Sequence, residues 1–182
     1  MALHWKRVPN RHYCQSYLVV QTRHATLSTV LEPGVCGVVT SVRALATIDT
    51  IPGAEVVVTL GAGSVAVASV YTVRNRQLVR MTIEGSGRDP FFRNTFAYYG
   101  GVAHDAAVDC VRPGSGRVVL SFWALSRPKL IFHEYMRVVG TRFLMVRTTQ
   151  EPSPGGHYDR YGPFRRPQPF PSCAVARGPD RY

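Results

Sequence analysis

The chain has 182 residues, 45% of them hydrophobic, and a formal net charge of +11. This length suits one folded domain with a buried core and an extension, and it excludes a miniprotein that depends on disulfides for its fold. The charge comes from 20 arginines and 2 lysines against 11 acidic residues. Such a balance favours a polyanionic partner because guanidinium groups pair bidentately with phosphate, although an arginine bias can also follow from base composition or serve solubility.

Residues 1–15, MALHWKRVPNRHYCQ, are predicted to form a basic N-terminal arm. No acidic residue precedes Glu32, which leaves a basic leader open, but the segment lacks the apolar core of a signal peptide. No stretch of the chain approaches the length and apolarity of a membrane span. We therefore expect a soluble, intracellular protein.

Residues 16–149 are dominated by short runs of Val, Thr, Tyr, Phe and Ile between Gly, Pro, Asn and Asp residues. This pattern is typical of strands, and no segment keeps an apolar helical period over three turns. The candidate strands are SYLVVQT, ATLSTVL, VCGVVTSVRALA, AEVVVTL, SVAVASVYTV, QLVRMTIE, NTFAYY, AAVDCV, GRVVLSFWAL, KLIFHEYMRVV and TRFLMVRT. The predicted fold is an all-β, two-sheet antiparallel sandwich of jelly-roll type with extended N- and C-terminal arms.

The region 54–84 has the clearest local pattern. The runs VVVTL and SVAVASV flank GAG, and YTV and QLV flank RNR, so two tight connections predict a three-stranded meander. The run SVAVASV is apolar or small on both faces. Both of its faces are therefore expected to pack, against a second sheet or against a neighbouring subunit.

Residues 150–182 form a predicted C-terminal extension rich in Pro, Gly and aromatic residues. Proline removes ladder donors and favours an extended conformation, which argues against a core strand. Its prolines and aromatic side chains predict a strap for a protein surface, either the chain's own or a neighbour's. The residues predicted to bind a partner are Tyr158, Tyr161, Phe164, Arg165, Arg166 and Phe170.

The four cysteines are Cys14, Cys36, Cys110 and Cys173, and none of them forms a CxxC motif. This spacing indicates neither a zinc ribbon nor a redox pair, and we expect no metal and no cofactor. Free thiols are the expectation, although the even count leaves one or two disulfides open.

The segment AHDAAVDC contains residue types that bind metals or move protons, namely His104, Asp105 and Asp109. Their spacing matches no metal signature, and in a strand Asp109 and Cys110 point to opposite faces. A turn aspartate that caps backbone amides and a buried cysteine are the favoured roles.

No other catalytic motif is evident in the sequence. His133 and Glu134 are adjacent and would face opposite ways on a strand. The chain contains no GxSxG motif, and GAGSVA lacks the Lys-Ser/Thr of a phosphate-binding loop.

The basic residues give the strongest functional indication. Those predicted to bind nucleic acid are Lys6, Arg7, Arg11, Arg23, Arg74, Arg76 and Arg80. A second group, opposed within its interval only by Glu134, comprises Arg112, Arg117, Arg127, Lys129, Arg137, Arg142 and Arg147. If these side chains converge, they form a basic face that follows a phosphate backbone without reading its sequence; if they do not, they form a dispersed solvated surface.

The sequence thus predicts a non-enzymatic structural subunit of a nucleic-acid-containing assembly, in particular a small viral coat or capsid-associated protein. Such a subunit would form a homo-oligomer or larger assembly and would be found in the virion. One alternative is a lineage-specific accessory subunit of an organellar or ribosomal complex. A further alternative is a small hydrolase-like enzyme that uses His104 with Asp105 or Asp109.

Overall fold

A computed structural model describes residues 2–9, 14–21, 25–31, 38–45, 48, 55–62, 65–85, 93–99, 106–123, 130–153 and 169–173. These residues contain strands and turns but no helix, and hence no helix able to cross a membrane. The strands are β1 (Ala2–Pro9), β2 (Cys14–Gln21), β3 (Thr26–Leu31), β4 (Val38–Leu45), β5 (Glu55–Ala62), β6 (Val65–Arg74), β7 (Gln77–Arg80), β8 (Thr82–Ile83), β9 (Phe96–Tyr99), β10 (Ala106–Cys110), β11 (Arg117–Trp123), β12 (Leu130–Val139) and β13 (Arg142–Pro152).

The prediction of an all-β chain is confirmed, because each predicted run contains a strand. The run QLVRMTIE is divided into β7 and β8 at Met81, whose side chain is buried in the core. Ala2–Pro9, predicted to be an extended arm, instead forms β1, which pairs antiparallel with β2. At the other end of the described domain, β13 continues to Pro152.

The described strands form three sheets, where the sequence predicted two. The N-terminal sheet has the order β1-β2-β3, and the central sheet has the order β4-β5-β6-β7, with β9 also paired to β6. The C-terminal sheet has the order β10-β11-β12-β13-β8. Most neighbours are consecutive in the chain and antiparallel, which is the order of a meander, and β8 pairs parallel with β13. The interleaved strand order of a jelly roll is not found in these sheets.

The central sheet has a buried core on each of its faces. This explains why apolar and polar residues do not alternate along strands such as β6. Val57 and Ala68 pack in one hydrophobic cluster with residues of the C-terminal sheet such as Val118. Val56 and Val67 face the other way and pack with residues of the N-terminal sheet. The prediction that β6 is buried on both faces is therefore confirmed, because the central sheet is a middle layer.

The β5-β6-β7 meander is also confirmed, and its second turn has the predicted tight geometry. Asn75 and Arg76 have φ values of 50° and 61°, so both central residues are left-handed, as a two-residue type I′ turn requires. Asparagine tolerates this conformation, whereas arginine carries a steric cost there.

The described part of the C-terminal extension beyond β13, Pro169–Cys173, packs against the domain, and we call it the C-terminal clip. Phe170 N donates to Val108 O at 2.7 Å, and the Phe170 side chain is fully buried against Phe96 in an edge-to-face contact. Cys173 forms a disulfide with Cys110 of β10. The expectation of free thiols is therefore wrong for these two cysteines, because folding brings together residues that are distant in sequence.

Candidate nucleic-acid interface

The C-terminal sheet has one face in the core and one face that points away from it. Val118 of β11 and Met136 of β12 lie opposite each other and are buried in the core. Successive strand residues point to opposite sides, so Arg117 and Arg137, also opposite each other, lie on the other face. We call this second side of the C-terminal sheet the outer face.

Cationic and aromatic side chains meet on the outer face. Arg117 and Arg137 are exposed cross-strand neighbours, a like-charge pair that costs stability when no anion lies between the two guanidinium groups. The next pair along β12 is Tyr135 with Arg147 of β13, and the Arg147 guanidinium carbon lies 4.2 Å from the Tyr135 ring centroid. This is a cation–π contact, which orders the guanidinium over the ring.

A β-bulge shapes this part of the face. Tyr135 lies opposite Arg147 and Met136 lies opposite Met145, which leaves Val146 as the extra residue of β13. Bulges bend a strand and redirect its side chains. An open cavity of about 400 Å³ lies at this part of the face. It is lined by Val111, Arg117, Tyr135, Met136, Arg137, Val146 and Arg147.

The acidic residues of this sheet leave the cavity positive. Glu134 belongs to the inner set of β12 residues, where its partial burial raises the pKa of its carboxyl above the ordinary value. Asp109 Oδ1 accepts hydrogen bonds from Cys110 N at 2.8 Å and Ser172 N at 2.7 Å, so this carboxylate holds the C-terminal clip. No carboxylate is among the residues that line the cavity.

A hydrogen-bonded chain of side chains lies farther along the outer face. Ser121 Oγ is 2.8 Å from His133 Nδ1, and His133 Nε2 is 3.2 Å from Glu151 Oε1. The members resemble those of a hydrolytic triad, but the Ser121 side chain lies within a strand and the residue is only 3% exposed. The nucleophile of a hydrolase must reach its substrate. The contacts between Ser121, His133 and Glu151 therefore link β11, β12 and β13. They do not provide an accessible nucleophile.

The structure separates the predicted cluster of hairpin arginines. Arg80 lies opposite Tyr71, and Arg74 is three residues beyond Tyr71 on the same strand, so Arg74 and Arg80 lie on opposite faces of the central sheet. The Arg80 guanidinium donates to Ser69 Oγ at 3.1 Å and to Arg93 O at 2.7 Å, which ties two segments of the chain together. Arg76 is exposed in the turn.

The other basic residues predicted to bind nucleic acid belong to the N-terminal sheet or lie outside the described part. Lys6 and Arg7 are backbone positions of β1, opposite Tyr17 and Ser16. Arg11 and Arg23 lie outside the described residues.

Most of the residues predicted to bind a partner also lie outside the described part: Tyr158, Tyr161, Phe164, Arg165 and Arg166. Phe170 is described and packs into the chain's own core.

The hydrolase hypothesis rested on three residues, of which His104 and Asp105 lie outside the described part. Asp109 accepts hydrogen bonds from backbone amides, as predicted, but it does so from within strand β10 and not from a turn. Cys110 is buried, as predicted, but it is disulfide-bonded to Cys173.

Sequence reasoning grouped Arg117, Arg137 and Arg147 with other basic residues but missed Tyr135 and Val146. The sequence shows which side chains of β11 and of β12 share a face, because successive strand residues point to opposite sides. Tyr135 and Arg137 thus share one face of β12, and Arg117 lies on one face of β11. The pairing of the two strands and the bulge were not available. The cavity therefore appears only when the register is known.

The chain matches no protein-family model, no curated protein and no solved structure. A functional assignment must accordingly rest on the chemistry of the outer face.

Proposed function

We propose that this chain is a non-enzymatic structural subunit of a nucleic-acid-containing assembly, and that its outer face binds single-stranded nucleic acid. The observation that supports this proposal best is the cavity that Arg117, Arg137 and Arg147 line together with Tyr135. Planar guanidinium groups bind phosphate oxygens bidentately, and the stack of Arg147 on Tyr135 offers planar groups beside which a base can lie.

The cavity suits single-stranded nucleic acid better than a duplex. Its aliphatic rim, Val111 and Val146, is 41% and 56% exposed, so an unpaired base could cover apolar surface there while its phosphate meets the arginines. Base stacking on an aromatic side chain contributes roughly 1–3 kcal/mol and tolerates any sequence. A duplex offers its phosphates but keeps its base faces stacked.

Within this proposal we favour a small viral coat or capsid-associated protein over an accessory subunit of an organellar or ribosomal complex. The buried disulfide between Cys110 and Cys173 is typical of proteins that persist in oxidising surroundings. A virion outside the cell provides such surroundings, and the basic outer face would screen the packaged nucleic acid.

Fluorescence anisotropy with a labelled single-stranded oligonucleotide tests the interface. Arg117→Ala, Arg137→Ala and Arg147→Ala should each weaken binding, and the triple variant should flatten the dependence of log K on log salt by about 2, because single strands contribute about 0.7 for each phosphate neutralised. Arg76→Ala removes the same charge from the β6-β7 turn of the central sheet, outside the cavity lining, and serves as the matched control. If Arg76→Ala weakens binding more than Arg147→Ala, the interface is on the hairpin and not on the outer face.

The assembly is tested by sizing the purified protein at low and high salt together with its 260/280 nm absorbance ratio. A coat subunit should copurify with nucleic acid at low salt, and regular particles should be visible in negative stain. Recovery as a nucleic-acid-free monomer at low salt would reject the assembly, and recovery only in stoichiometric company with other chains would favour the accessory subunit.

A further inference from the structure

Among the described residues, only part of the β13 edge that faces away from β12 is paired with another segment. The short strand β8 pairs with Arg142 and Phe143, and Glu84 Oε2 then accepts a hydrogen bond from Met145 N at 3.0 Å. Beyond this point β12 is the only strand paired with β13 among the described residues. Residues 146–150 are all exposed, and no other described strand pairs with this side of them, so they form a sheet edge within the described part of the chain.

The ladder with β12 shows which backbone groups face that edge. Val138 N donates to Gly116 O at 2.8 Å, on the β11 side, and Phe143 O accepts from Glu84 N at 2.9 Å, on the β8 side. Val138 and Phe143 are opposite each other, so they form a non-hydrogen-bonded pair of the β12-β13 ladder.

Non-hydrogen-bonded pairs alternate with hydrogen-bonded pairs along the β12-β13 ladder. The extra residue Val146 shifts this alternation by one position in β13. The backbone groups of Thr148 and Gln150 consequently point to the free edge, and Pro152 is the next residue of that set. A proline at this position is consistent with the assignment, because proline in a sheet occurs where its missing N–H would face away from the ladder.

We propose that a second copy of this chain pairs with this edge, β13 against β13, in an antiparallel two-fold arrangement. In such a pair Thr148 lies opposite Gln150 of the second copy and Thr149 lies opposite its own equivalent. Arg147 then lies opposite Glu151 of the second copy, and the two-fold axis repeats this ion pair.

Charge complementarity selects this register over its neighbours. If Thr148 lay opposite Thr148 of the second copy, Arg147 would lie opposite Thr149. If Gln150 lay opposite Gln150 of the second copy, Arg147 would lie opposite Ser153. With Thr148 opposite Val146, Arg147 would lie opposite Arg147, a repulsive pair. The proposed register alone brings opposite charges together at both ends of the ribbon.

The flanking features limit the pairing to one partner. The bulge at Val146 twists one end of the free edge, and Pro152 lacks a donor at the other end. A closed two-fold dimer results rather than an open-ended sheet. This inference goes beyond the proposed function and does not depend on nucleic acid.

The test measures the dimer dissociation constant of nuclease-treated full-length protein by analytical ultracentrifugation. Thr148→Pro should abolish the dimer, because proline removes a donor that faces the edge and leaves the β12 ladder intact. Thr148→Ala keeps the backbone N–H and is the matched control. Far-UV circular dichroism and the thermal midpoint show whether each variant is folded.

Charge reversal tests the register. Arg147→Glu and Glu151→Arg should each raise the dissociation constant about tenfold, and the double variant should return it to within about threefold of the native value, because the opposite charges again face each other. A monomer at about 100 μM, or a folded Thr148→Pro variant that still dimerises, overturns the inference. A native protein that stays monomeric but binds the oligonucleotide rejects only this inference, and a native dimer that binds no oligonucleotide rejects only the proposed function.

Discussion

Cys110 at the end of β10 is disulfide-bonded to Cys173, 63 residues later in the chain, with Cα atoms 5.3 Å apart. The bond closes a loop that contains β11, β12 and β13 and fixes the C-terminal clip on the edge strand of the C-terminal sheet. Asp109 holds the same clip by accepting a hydrogen bond from Ser172 N. The clip is therefore part of the domain and not a separate tail.

The first prediction concerns this disulfide. Replacing both cysteines, Cys110→Ser with Cys173→Ser, should lower the free energy of unfolding by about 2–4 kcal/mol, because the unfolded chain regains the freedom that the closed loop denies it. Urea unfolding of the native and double-variant proteins measures the difference. Equal midpoints for the two proteins would show that the clip is held without the bond.

The second prediction concerns Phe170. This side chain is fully buried and makes an edge-to-face contact with Phe96 at 5.6 Å between ring centroids. Phe170→Ala should cost about 3–5 kcal/mol of stability in the isolated chain, because it leaves a cavity in the core. Phe164→Ala removes the same side chain from the preceding part of the extension and is the comparison. A Phe170→Ala protein of native stability that fails only to assemble would show that Phe170 serves a neighbour instead.

Local sequence patterns were sufficient to predict the strands from β2 to β13, whereas β1 was expected to be part of an arm. Valine-rich runs between turn residues predicted β5, β6 and β7 with their connections, because both strand preference and turn geometry are properties of a few adjacent residues. The same patterns gave no means of choosing partners for the strands. The third sheet was missed for that reason, although the two apolar faces of β6 indicated that it packs on both sides.

The candidate site was predictable only in part, for a related reason. The alternation within β12 places Tyr135 and Arg137 on one side, which the sequence shows. That Arg117 lies opposite Arg137, and that Val146 bulges so that Arg147 covers Tyr135, depends on the register between strands. Register follows from the packing of the whole sheet.

The third prediction concerns the β6-β7 turn. Arg76 has a φ of 61°, which costs a residue with a side chain about 1 kcal/mol relative to glycine. Arg76→Gly should therefore raise the free energy of unfolding by about 0.5–1 kcal/mol. Arg76→Ala keeps the β-carbon and loses the same charge, so it should change stability by only a few tenths of a kcal/mol. A gain of equal size in both variants would assign the effect to charge and not to backbone strain.

The fourth prediction concerns Glu134, whose carboxyl has a raised pKa because of partial burial. The folded protein then holds this proton more tightly than the unfolded chain. The free energy of unfolding should fall as the pH rises from about the ordinary value of 4.5 through the raised pKa. Glu134→Gln stays neutral and escapes this loss, so the variant should gain stability relative to the native protein as the pH increases.

Urea unfolding of both proteins between pH 4 and pH 8 measures that difference, and titrations common to the two proteins cancel in it. At the acid end both side chains are uncharged, which makes that end an internal control for the change of shape and hydrogen bonding. The stability difference should widen with pH and then level off once the Glu134 carboxyl is ionised in both states. A difference that is constant across the range would mean that Glu134 titrates alike in the folded and unfolded chains, and that its charge lies in water and not against the core side of the C-terminal sheet.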